Sequence, residues 1–370
     1  MSEHPAIPFN DLSRGLRRDR DLLLRAAAEV IDSGYAVHGT HHRAFESELA
    51  AYVGVDHAVG VANGTDALEL AVKAVMPAGR SVVVTAGNAG GYTSTAVKRA
   101  GLTPRYADVD ATTLCLTADT VRDVLDHEVG VVVVTHLYGH VGDIAELRSL
   151  CDERSIALVE DCAQAIGADS RDGRAGTFGD AATISFYPTK NLGAVGDGGA
   201  VVTRSSEVAD RVRQLRQYGW ATKYDATLPG GTNSRLDEMQ AAFLRLRLPL
   251  VDRFNARRRE IIARYRAAGA EIAPEILTVL PAAEGHGAHL AVCRSPQRDA
   301  VRDHLRSAGV TTDVHFPLPD WKQAAFSAHA PATPKAQTEA ACDEVFSLPL
   351  FPELTDDEVD RVCGVLRSIG

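Results

Sequence analysis

The chain has 370 residues, 45% hydrophobic and 24% charged, with a formal net charge of -10. That length carries a sizeable core and two domains. The acidic balance argues against a nucleic-acid binder built on a basic face, though a few local donors could still hold a small anion. Six cysteines without a CxxC pair read as reduced core thiols. No basic-flanked apolar leader opens the sequence, and no apolar run approaches the ~20 residues of a membrane span. The expectation is a cytoplasmic protein with neither a membrane nor a nucleic-acid partner.

In chain order, residues 1–15 read as an extended arm. Leu22, Leu23, Ala26, Ala27 and Val30 then fall at helical spacing up to Gly34. Phe45, Leu49 and Tyr52 mark a second amphipathic helix. The histidines before it, His38, His41 and His42, match no metal spacing and read as a polar loop.

From about residue 58 strands and helices alternate. Strands are expected at Val59–Ala62, Ser81–Thr85, Arg105–Val109, Val129–Thr135, Ile156–Glu160, Ala181–Phe186 and Ala200–Thr203. Helices are expected at Ser94–Ala100, Ala118–Asp126, Asp143–Glu153 and Glu207–Tyr218, with another after Asn63-Gly64-Thr65-Asp66. Runs such as Val131–Val134 are apolar throughout, which suits strands buried on both faces of a mainly parallel sheet. Two helices flank Pro249. Beyond them the pattern gives a strand at His289–Arg294, a helix opened by Ser295-Pro296, a strand at Val310–His315 and a last helix at Asp356–Ser368. The expected division is a large domain over residues 1–250 and a smaller α+β domain over 251–370.

The chemistry gathers around Lys190. It follows the strand Ala181–Phe186 and Pro188 and precedes the glycine-rich turn Gly193–Gly199. A lone lysine there is usually a solvated surface residue; desolvated, its amine could form a Schiff base. Asp161 ends an earlier buried strand, where α/β proteins bind ligands, although a strand-end Asp is equally often a helix cap. A lysine and a carboxylate so placed fit pyridoxal 5'-phosphate (PLP), which needs a Schiff-base lysine and an anion beside its ring nitrogen. A phosphate cradle is available where Gly64 and Thr65 open a helix, and Ser185 adds a hydroxyl. No metal is called for.

With these residues in place, the chain resembles the DegT/StrS-type nucleotide-sugar aminotransferases of the aspartate-aminotransferase fold (PLP fold type I). The stretches that carry the resemblance are NGTDALELAVKA, THLYGHVGD, VEDCAQAIGA, GTFGDAATISFYPTKNLGAVGDGGAVVT and GTNSRLDEMQAAFLR. The resemblance implies that Lys190 is the cofactor lysine and Asp161 the partner of the pyridine nitrogen. It implies that Gln164 contacts the ring, and that Gly64, Thr65 and Ser185 bind the phosphate. Asn233 would reach the phosphate of the neighbouring subunit, so that a homodimer shares its two active sites. Tyr187, Tyr218 and His315 are substrate candidates. Histidine replaces the lysine in dehydratase relatives, so lysine here implies transamination, with glutamate or glutamine as donor and a keto sugar, most often TDP-linked, as acceptor.

Two stretches depart from the family pattern. Counting back from Ala100-Gly101, the usual ring-stacking aromatic falls on Gly90, and Tyr92 is the substitute candidate. The stretch His315-Phe316-Pro317-Leu318-Pro319-Asp320-Trp321 replaces the usual HYPxPLH. Both resemble the branch that aminates C3 of TDP-3-keto-6-deoxyhexoses. The alternatives are amination at C4 or of a cyclitol ketone, or a PLP-binding regulator without turnover.

Overall fold

The computed structural model describes residues 5–369. Helices α1 (Leu12–Ser33) and α2 (Thr40–Val53) come first, closed by Gly34 at φ 70° and Gly54 at φ 91°. The arm is shorter than expected. The Asp11 carboxylate accepts the Ser13 N–H and caps α1, so the described extended stretch ends at residue 11; residues 1–4 of that expectation lie outside the described residues.

Seven strands form one sheet: β1 (His57–Val61), β2 (Val82–Ala86), β3 (Thr103–Ala107), β4 (Val129–Thr135), β5 (Ala157–Asp161), β6 (Ala181–Ser185) and β7 (Gly199–Thr203). Their order across the sheet is β1-β7-β6-β5-β4-β2-β3. Strands β2 to β6 run parallel, and β7 is reversed between β6 and β1. Every residue of β2, β4 and β7 is buried, as strands covered on both faces require. The cover includes α3 (Gly64–Val75), α4 (Tyr92–Arg99), α5 (Ala118–Arg122), α6 (Ile144–Glu153) and α7 (Ser206–Leu215). Helix α5 is shorter than the pattern suggested. Thr117 and Thr120 box its start, but the chain leaves it at Asp123 and brings Asp126 to the Arg105 guanidinium, 2.8 Å away.

Helices α8 (Glu238–Arg247) and α9 (Val251–Gly269) are joined by a 3-10 turn through Pro249. α9 spans two cores: Val251 packs beneath the large sheet, while Ile261, Ile262 and Tyr265 pack in a second core. That core covers the antiparallel strands β8 (Thr278–Val279), β9 (Ala291–Arg294) and β10 (Val345–Leu348). Helices α10 (Arg298–Ser307), α11 (Ala336–Glu344) and α12 (Asp356–Leu366) complete this part.

Two expectations there fail. The stretch Val310–His315 is no strand. Val310 bridges only Ile7 and Asp313 only Ser347, and the chain turns at Phe316, φ 61°, before two prolines that cannot donate to a ladder. Ser295 does not cap the next helix either. Its hydroxyl accepts the Gln297 N–H at 3.1 Å, closing a separate turn before α10 begins at Arg298. All six cysteines are buried and unpaired.

Candidate active site

The parallel strands bring the carboxyl ends of β1, β2, β4, β5 and β6 to one edge, and the reversed β7 returns Gly199 to it. The loop after β6 is braced by its own backbone. The Lys190 N–H donates to the Tyr187 carbonyl, the Ala194 N–H to Phe186 and the Phe186 N–H to Gly198, each at 2.8 Å. The next residue, Asn191, is buried and clamped. Its Nδ2 donates to Asn255 Oδ1 at 2.7 Å and to the Gly287 carbonyl at 2.6 Å, and its Oδ1 lies 2.9 Å from His289 Nδ1. Lys190 is itself partly buried. Burial of its amine lowers the pKa to about 8, against the opposing pull of Asp161. Burial also holds His289 well below the usual imidazole range, with help from Lys190, so it is neutral.

Asp161 closes β5 and is 5% exposed. Its Oδ1 accepts the Ala163 N–H at 3.0 Å, and its Oδ2 accepts the Thr135 hydroxyl at 3.3 Å. Burial raises its pKa, while the Ala163 N–H and then Lys190 pull the other way. Gln164, one turn on, is buried and accepts the Tyr138 N–H at 2.6 Å. Close by, His136, Glu160 and Cys162 converge. Glu160, however, spends its oxygens on His136 and on the backbone N–H groups of Gly176, Phe178 and Gly179, and so braces the 176–179 turn.

Opposite these groups, the Asn63 side chain caps α3 through the Asp66 N–H at 2.8 Å. Gly64 and Thr65 open α3, where a helix cannot satisfy its N–H groups internally, and Gly64 packs against Ser185. A Cβ on Gly64 would stand 2.7 Å from Ser185 Cβ and 3.0 Å from its hydroxyl, so only glycine leaves this cradle open. The Asp66 carboxylate, a threat to any phosphate there, is engaged elsewhere: Ser234 Oγ donates to it at 2.7 Å and Arg99 pairs with it at 3.0 Å.

The remaining sequence candidates scatter. Asn233 is exposed, bridged through its backbone to Gln217. Tyr187 and Tyr218 are exposed, Tyr218 at φ 59°. Tyr92 opens α4 with its ring 54% exposed, so it is not a core tyrosine. His315 is partly buried near Lys190, and burial lowers its pKa. Sequence reasoning missed the clamp on Asn191 and the Thr135 hydroxyl on Asp161. It also missed Phe316 and Trp321, although the unusual HFPLPDW stretch flagged their segment.

Comparison with known proteins identifies the family of the chain. The model of the DegT/DnrJ/EryC1/StrS aminotransferase family matches residues 18–367. A dTDP-3-amino-3,4,6-trideoxy-alpha-D-glucose transaminase from Micromonospora megalomicea is 39% identical over 95% of this chain and 96% of its own. The erythromycin biosynthesis sensory transduction protein EryC1 of Saccharopolyspora erythraea is 37% identical over 98% and 99%. The crystal structure of S. venezuelae DesV in complex with a ketimine intermediate superposes with a TM-score of 0.93, at 37% identity over 99% of this chain and 98% of that one.

Proposed function

The chain belongs to the DegT/DnrJ/EryC1/StrS aminotransferase family, and we infer that this PLP-dependent aminotransferase moves an amino group from glutamate or glutamine to C3 of a TDP-linked 3-keto-6-deoxyhexose. One observation carries the reading: a lysine amine lowered to about 8 lies close enough to a buried carboxyl for their charges to interact, and Ser185, at the end of the strand before that lysine, packs against Gly64 at the start of α3. That donor set fits PLP, with Gly64, Thr65 and Ser185 for its phosphate, Asp161 for its ring nitrogen and Lys190 for its carbonyl carbon.

When bound, PLP supplies a carbonyl for amine exchange and a ring that takes up the electron pair released at the donor carbon. The protein's part is positional and electrostatic. Asp161 places a negative charge at the end of β5, and Thr135 and Ala163 orient it. Lys190, with a pKa near 8, has a neutral fraction at working pH and can take up and return a proton at Nζ. The clamp on Asn191 fixes the residue that follows the lysine.

The C3 position is favoured by the Micromonospora relative, whose name specifies a 3-amino sugar, and by the NAGGYT and PLPD stretches. The EryC1 name keeps a regulatory reading in view. Both are tested by incubating the holoenzyme with glutamate and a panel of 3-keto and 4-keto TDP-sugars, followed by product NMR. We expect glutamate-dependent loss of the bound cofactor's visible band and a new amine at C3. An amine at C4 would move the substrate assignment, and an unchanged band would favour a binder.

A further inference from the structure

The two departures from the family pattern, the glycines of the β2–α4 loop and the HFPLPDW stretch, meet in space. A Cβ on Gly90 would lie within 2.6 Å of Phe316 Cε1, and one on Gly87 within 2.7 Å of Trp321 Cε3. Both glycines are therefore spaces filled by aromatic rings from the segment before α11. The fit is latched by polar groups. The Asp320 N–H donates to the Gly87 carbonyl at 2.8 Å, and Ser94 Oγ donates to the buried Asp320 carboxyl at 2.5 Å. Trp321 also packs on Tyr106, ring centroids 5.2 Å apart.

Phe316 thereby takes the space that a side chain at position 90 would occupy. Its ring is nearly parallel to that of Tyr138, at 11° and 6.5 Å between centroids, and the Tyr138 N–H is held by Gln164. His315, its chain neighbour, lies close enough to Lys190 for the two charges to interact. Tyr92 stands edge-on to Phe316 at 85° and is itself half exposed. Phe316 holds φ 61°, a conformation a non-glycine residue keeps only where its surroundings fix it.

We propose that Phe316, delivered by the segment His315–Trp321, supplies the aromatic face for the cofactor ring, in place of a side chain at position 90 and in place of Tyr92. This rests on the PLP reading above. A stacking face delivered this way packs against the cluster that holds Leu137, Tyr138, Leu290 and Val292, and cofactor retention is then tied to the seating of that segment against Gly87 and Gly90.

The test measures equilibrium PLP binding to reconstituted apo-protein by absorbance and fluorescence, with thermal unfolding of each apo-protein alongside. Phe316→Leu keeps an apolar group in the gap but removes the π face. It should weaken PLP binding roughly three- to ten-fold with little change in apo-protein melting, and Phe316→Tyr should restore binding. Tyr92→Leu should stay within two-fold. Gly90→Ala should also weaken binding by displacing the Phe316 ring. In a Phe316→Ala background its effect should shrink, because the cycle cancels the strain at φ 78° that both share. The proposal is overturned if Tyr92→Leu weakens binding while Phe316→Leu does not, or if the cycle is additive. A wild-type protein that binds no PLP would instead overturn the cofactor reading beneath it.

Discussion

At the scale of single residues, the site depends on burial acting on charge. Asp161 and Lys190 are both pushed by desolvation toward their neutral forms, and each draws the other back toward charge. Replacing Asp161 with Asn preserves the shape of the carboxyl and an acceptor for the Ala163 N–H, and the Thr135 hydroxyl can turn to accept from the new amide. The charge is lost. We expect Asp161→Asn to lower turnover by roughly 10²-fold with circular dichroism and melting temperature close to wild type. Near-normal turnover would reduce Asp161 to a cap on the turn at Ala163. The types and order of these residues were legible in the sequence because each sits at a strand end or helix start, positions a local pattern marks. The Asn191 clamp was not. Its partners Asn255, Gly287 and His289 lie far along the chain, and nothing in the immediate neighbourhood of Asn191 points to them.

Among the elements, the sheet strands were legible because buried parallel strands are written as apolar runs, and the start of α3 because Asn63 caps it. The segment 310–321 was not. Its apolar residues spell a strand, but its backbone is spent on two unrelated bridges and its side chains on the β2–α4 loop. A period-two reading cannot see a partner of that kind. Asp320, the latch of this segment, gives a pH test. It is 1% exposed, one of its oxygens has no partner among the described residues, and burial raises its pKa to about 6 from an ordinary 3.8. With the folded-state pKa raised, its stabilising contribution is complete below about pH 4 and is lost as pH rises through about 6. Asp320→Asn removes that dependence. Its melting temperature relative to wild type should therefore rise between pH 4.5 and 7.5, by the equivalent of about 2 kcal/mol. A constant difference across that range would show that Asp320 is ionised throughout.

For the whole molecule, the open question is what surrounds Asn233. It is exposed and its backbone bridges Gln217, and the family resemblance assigns it to a partner's phosphate. We propose a two-fold dimer whose sites are each completed by the other subunit. Asn233→Asp would set a negative charge against that phosphate, and Lys190→Ala would remove the amine, so each homodimer should be inactive for its own reason. Subunit exchange between the two places both defects in one site of each mixed dimer and none in the other. Random pairing makes about half the dimers mixed, so about a quarter of all sites should recover full activity. Absence of recovery, with exchange verified by native mass spectrometry, would place Asn233 in its own chain's site or in none.

The bonds that Asn191 makes also have a meaning in time. On the ribosome, Gly64, Asp161, Ser185 and Lys190 all emerge before Asn255, Gly287 and His289, and Phe316 comes last of all. At roughly 5–20 residues per second, several seconds or more separate the lysine from the residues that clamp its neighbour Asn191. A nascent chain therefore carries the lysine, the carboxyl and the glycine cradle well before the residues that surround them. The surroundings of the amine are thus complete only when the chain is nearly finished.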